Sequence, residues 1–69
     1  MKFKLTDFGK KIKFSLIERD LNQEWLIAEV KKKTGTYFDS SYLYKIMTGQ
    51  KKTPKIISAI CEILGIEEK

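Results

Sequence analysis

The chain has 69 residues, with 14 Lys and Arg against 9 Asp and Glu, one cysteine and no histidine, for a net charge of +5. That length bounds it to one domain, near the lower limit of what folds without disulfide or metal staples. A lone Cys61 excludes an internal disulfide and a cysteine-based zinc site, and the lack of histidine excludes His-based catalysis and His metal ligation.

The N-terminal segment Met1–Leu5 alternates lysine and apolar residues, as a short strand does. With no partner strand in the chain, it is expected to be a flexible arm that frays or packs on the core, the other outcome being pairing with a second copy. Thr6 or Asp7 then caps a first helix whose buried stripe is Phe8, Ile12 and Leu16, widened by Ile17. Lys10, Lys11 and Lys13 fall towards solvent. Asp20 and Asn22 close this helix and open the next. Asn22 is a good N-cap, and Glu24 suits the positive end of the helix dipole.

In the second helix Leu26 and Val30 face inward, with Trp25 or Ala28 alongside. Lys31, Lys32 and Lys33 suit its negative end, and Gly35 is its stop. Phe38 reads as a core anchor in the connection. Asp39 is the expected N-cap of a third helix, with Leu43, Ile46 and Met47 inward and Gly49 at its end. Thr53-Pro54 signals the start of a fourth helix. Ile56, Ile57, Ile60, Cys61, Ile63 and Leu64 form its broad apolar face, and Gly65 ends it. Cys61 therefore reads as a small core residue. The fold class expected is all-α, a small helical bundle filling residues 1–69.

The charge is divided unevenly. Residues 1–55 carry 13 Lys and Arg against 6 Asp and Glu, and residues 56–69 carry 1 against 3. A basic body with an acidic end implies an oriented molecule facing a polyanion, although small domains also carry such a charge for solubility alone. Lysine dominates, Arg19 being the single arginine, which favours neutralising a phosphate backbone over bidentate reading of guanine. No apolar run follows the charged N-terminus that could act as a signal or spanning segment, so a cytoplasmic protein without a membrane partner is expected. Nothing points to a cofactor, a small-molecule ligand or catalysis: no nucleophile–base pair is available, and Asp20 and Asp39 are explained as helix-terminus residues.

The order Leu21-Asn22-Gln23, then Leu43-x-x-Ile46-x-x-Gly49, then the basic loop to Pro54 and Ile60-Cys61-Glu62-Ile63-Leu64-Gly65-Ile66 resembles the lambda-repressor-like, Cro-type helix-turn-helix (XRE) family, particularly its small prophage regulators. The resemblance runs from about Phe8 to Ile66. It implies a compact four- to five-helix domain that sets its third helix in the DNA major groove. One departure is clear. Gly35 comes twelve residues after Gln23, and Asp39 four after Gly35, both later than in the common pattern. The second helix gains a turn, and the turn between the second and third helices is enlarged.

With the third helix in the groove, its outward positions are Ser40, Ser41, Tyr44 and Lys45, with Tyr42 beside them. Serine hydroxyls serve several base edges, Lys45 reaches guanine O6 and N7, and Tyr44 offers a ring edge to a thymine methyl. The resemblance carries base reading onto Ser40, Ser41 and Lys45, and a phosphate contact onto Gln23. Gln50, Lys51 and Lys52 would clamp one flank of the backbone, with Lys31, Lys32 and Lys33 as a further cationic cluster and Tyr42 as a further backbone contact. The function implied is a sequence-specific transcriptional regulator, a Cro-like repressor binding a two-fold double-stranded operator as a homodimer. The last helix, Ile66 or the N-terminal arm would supply the dimer contact. The alternative is a protein-binding module on the same fold, an antirepressor or an inhibitor of a nucleic-acid enzyme, for which the tyrosines would be hot spots and the lysines a solvated face.

Overall fold

A computed structural model describes residues 4–67. Four helices and no strand occur among them: α1 (Asp7–Glu18), α2 (Gln23–Thr34), α3 (Ser40–Met47) and α4 (Pro54–Leu64). No helix among these residues is long and apolar enough to cross a membrane. Most of the alternating N-terminal segment lies outside the described residues. Lys4 is exposed and Leu5 packs half-buried against the core, neither of them in a strand.

The helix boundaries follow local chemistry. Thr6 caps α1: its hydroxyl accepts the Gly9 N–H at 3.0 Å and donates to the Met47 carbonyl at 3.0 Å. Asn22 Oδ1 accepts the Trp25 N–H at 2.8 Å, and Asp39 Oδ1 accepts the Tyr42 N–H at 2.9 Å, so both side-chain caps satisfy donors that a helix start leaves unpaired. Gly35 closes α2 in the left-handed region at φ 70°, where a side chain would be strained, and its N–H reaches the Lys31 carbonyl at 2.8 Å. Thr53 sits at the N-cap position of α4 but makes no cap bond with its side chain. Its hydroxyl is instead 2.7 Å from that of Tyr42.

The core draws Phe8, Ile12 and Leu16 from α1, Leu26 and Val30 from α2, and Phe38 from the connection. Leu43, Ile46 and Met47 come from α3, and Ile56, Ile57, Ile60 and Leu64 from α4. Cys61 and Ile63 lie at the margin of the α4 face, half-buried. Two expected neighbours of the core are not part of it. Ile17 is 68% exposed, because about 100° of turn per residue brings it about 180° round the helix from Phe8. Ala28 is exposed as well, and Trp25 and Ile27 flank Leu26 instead.

Two junctions fix the helices. At the first, the start of α1 meets the end of α3: the Thr6 N–H also donates to the Met47 carbonyl at 3.0 Å. Gly9 lies so close that a Cβ there would be 2.2 Å from the Met47 oxygen. At the second, the end of α4 is held by cations from α1. Arg19 Nη2 donates to the Leu64 carbonyl at 2.7 Å and Lys11 Nζ to the Glu67 carbonyl at 3.2 Å, which also suits the negative end of the α4 dipole. Arg19 is thus a brace of the fold.

Candidate nucleic-acid interface

The eight residues of α3 divide by face, with Tyr42 half-buried between the two sides. Leu43, Ile46 and Met47 are buried, and Ser40, Ser41, Tyr44 and Lys45 are exposed in two columns four residues apart, 40 with 44 and 41 with 45. The buried side anchors the helix, so the exposed side presents a fixed row of hydroxyls and one ammonium. The residues on either side of α3 close a cleft of about 340 Å³ lined by Tyr37, Asp39, Ser41, Tyr42, Lys45 and Lys51. Lys51 is carried there by the turn after α3, whose Gln50 and Lys51 N–H groups both donate to the Lys45 carbonyl, at 2.9 and 3.2 Å.

Tyr42 is the hinge post of this cleft. Its ring packs on Phe38 with centroids 5.0 Å apart and planes tilted by 50°, its hydroxyl meets Thr53, and Lys51 Nζ stands 5.0 Å above the ring. The half-buried side chain links the connection before α3 to the loop after it, and it holds an ammonium in place by the ring's negative face.

Asp39 brings the one carboxylate into the cleft. A hydrogen bond from the Tyr37 hydroxyl holds its carboxyl below the ordinary aspartate value, helped by the Tyr42 N–H and the charge of Lys45. The same bond and the Asp39 charge push the Tyr37 phenol up. Both groups are exposed, so these are local adjustments of a solvated corner. They leave the Asp39 charge engaged by donors at the helix start.

Other expected contact residues are dispersed. Gln23 is exposed at the first position of α2, about 12 Å along the axis from Lys31 in its last turn. Lys31 is exposed beside the connection, but its neighbours are engaged: Lys32 Nζ is 3.8 Å from Glu29 Oε2, and Lys33 Nζ is 2.9 Å from Glu62 Oε1 on α4. Gln50 donates its side-chain amide to the Thr48 hydroxyl at 2.8 Å. Lys52 departs from Lys51 and borders the opposite side of the loop, beside Pro54 and Ile57. The cleft therefore gathers Ser41, Tyr42, Lys45 and Lys51, while Ser40, Tyr44, Gln23, Lys31, Gln50 and Lys52 do not line it.

One residue of the cleft was not singled out in the sequence. Tyr37 is 72% exposed and stands at the mouth of the cleft, fastened to Asp39. Its signal was available as an aromatic two residues before an N-cap aspartate. No group of three or more Cys, Asp or Glu side chains able to hold a metal occurs among the described residues. Comparison of the chain with protein-family models, with curated proteins and with solved structures gives no match.

Proposed function

We propose that this chain is a sequence-specific DNA-binding transcriptional regulator with a lambda-repressor-like helix-turn-helix fold, α3 being the helix that enters the major groove. The observation that carries this reading is the outward row Ser40, Ser41, Tyr44 and Lys45 on a helix whose opposite side is locked into the core, with Lys51 held beside it. Such a row offers donors and acceptors to base edges from a rigid support, and short side chains at the helix start allow close approach. Lys45 is the discriminating reader. Lys51, Gln23 and the N-terminal N–H groups of α2 contact phosphates, with Lys31, Gln50 and Lys52 on the flanks.

The mechanism is occlusion, in which two copies on a two-fold operator block access to an overlapping promoter. No catalytic step is part of it. The enlarged connection Gly35–Asp39 carries Tyr37 to the edge of the groove, where a phenol ring and hydroxyl meet backbone or sugar. A second reading, a protein-binding module on the same fold, draws on the exposed Phe14 and Ile17 of α1.

Selection from a random duplex pool at near-physiological salt tests both. An enriched motif, single or inverted, is expected. Retention without a motif would reduce the protein to a nonspecific binder, whose salt slope reports phosphate contacts alone. No retention at all would favour the protein partner.

A further inference from the structure

The outward face of α1 carries two large apolar residues among the exposed charges Lys10, Lys13 and Glu18. Phe14 and Ile17 lie one turn apart and are 61% and 68% exposed. They lie away from the core, since α1 turns Phe8, Ile12 and Leu16 inward, and Lys11 and Arg19 reach to the end of α4. Along the same face Lys10 and Glu18 are exposed, four residues before and four after Phe14. The ion pairs among the described residues join Lys32 to Glu29 and Lys33 to Glu62, and neither Lys10 nor Glu18 takes part.

We propose that this face binds a second copy of the chain, with the two α1 helices antiparallel about Phe14. The charge order selects that occupant. A two-fold axis at Phe14 opposes residues equally spaced on either side of it, so Lys10 of each copy meets Glu18 of the other, and the Phe14 rings meet at the centre. A parallel pair would set Lys10 against Lys10 and Glu18 against Glu18. The Lys10 and Glu18 positions are thus complementary to their own reverse, a property that a foreign partner does not require. Edge-to-face or offset contact suits the two rings, and by the same spacing Ile17 of one copy lies against the alkyl stem of Lys11 of the other. A single helix pair covers less area than the roughly 800 Å² per partner of a standard interface, so the dimer is weak and depends on concentration. Its use rests on the reading of a two-fold regulator, in which adjacent half-sites bring two copies together; its existence is measurable without DNA.

Sedimentation equilibrium of the full chain without DNA, over a wide range of concentration, tests the inference. The wild type is expected to associate to a dimer, and Phe14→Glu to remain monomeric throughout while keeping the helical signal and melting temperature of the dilute, monomeric wild type. Lys10→Glu and Glu18→Lys should each weaken the dimer by roughly tenfold, since each reversal acts in two symmetric pairs. The double exchange should restore it. A wild type that stays monomeric, a dimer indifferent to Phe14→Glu, or a double exchange no better than the single ones would each overturn the proposal. Because Phe14 is exposed on α1 and lines no part of the α3 cleft, a monomeric Phe14→Glu that still binds a single DNA half-site would leave the regulator intact. A wild-type dimer that retains no DNA would fail the regulator and keep the surface.

Discussion

The outer faces of α1 and α3 are both open to water but built for different contacts. On α3 the exposed residues are Ser40, Ser41, Tyr44 and Lys45, groups that exchange hydrogen bonds with water at little loss and can give them to a polar, hydrated ligand. On α1 the exposed residues include Phe14 and Ile17, which gain only by leaving water. Position in the fold explains how both persist. Each helix is anchored by an apolar inner stripe, so neither outer face is needed for folding, and each is free to serve a partner. A hydrated polyanion suits the first and an apolar helix the second.

The largest effects on stability should come from the buried sides of these two helices, and little from their outer faces. Gly9→Ala would press a methyl carbon against the Met47 carbonyl, a backbone group that cannot rotate away. Overpacking at about 3 kcal/mol, less the ~1 kcal/mol that alanine gains in a helix, leaves a net loss of roughly 2 kcal/mol. Leu43→Ala, on the inner side of α3, should cost about 2–5 kcal/mol. Phe14→Ser should stay within roughly 0.5 kcal/mol, when measured on dilute, monomeric protein. Urea denaturation checks all three. A large loss for Phe14→Ser would mean that the outer face of α1 is part of the fold, and the contrast between the faces would collapse.

Much of this division is legible in the sequence, and the exceptions have physical reasons. The apolar residues of α3 and α4 recur at helical spacing, and each cap residue identifies itself by a polar side chain before such a run. Ile17 misleads because adjacency to Leu16 says nothing about the width of a stripe, while the turn angle sends it to the far side. Gly9 gives no sign of its role, since the carbonyl it meets comes from a helix 38 residues away in the chain. Lys51 and Lys52 look alike in sequence. They part because the segment that carries them is not helical and neighbouring side chains on it diverge, so that only one of them comes over the Tyr42 ring.

On the α3 side, the two lysines of the cleft should differ in kind. Lys45→Ala is expected to reduce discrimination between the selected operator and mismatched duplexes by about 1–3 kcal/mol, with little change in nonspecific binding. Lys51→Ala should weaken binding to all duplexes and flatten the salt dependence by about one unit. Titrations of both variants against matched and mismatched duplexes at several salt concentrations separate the two roles. Equal losses on every sequence for both variants would make Lys45 another backbone contact, and sequence reading would then rest on the hydroxyls and the tyrosines.

The smallest effect is a titration at the start of α3. The Tyr37 hydroxyl, the Tyr42 N–H and Lys45 all favour the charged Asp39, so its folded value lies below the ordinary one. A depressed folded value means that the unfolded chain takes up the proton first. The contribution to stability is therefore complete above the ordinary aspartate value, and it fades as pH falls from there through the folded value. Carboxyl chemical shifts should follow Asp39 to a low midpoint, and Tyr37→Phe should move that midpoint up towards the ordinary range. An unmoved midpoint would mean that the Tyr37–Asp39 bond does not persist in solution. Duplex DNA then gives the same signal a second use. A phosphate brought near the start of α3 disfavours the carboxylate and raises its midpoint, whereas a partner docked on the outer face of α1 leaves it unchanged.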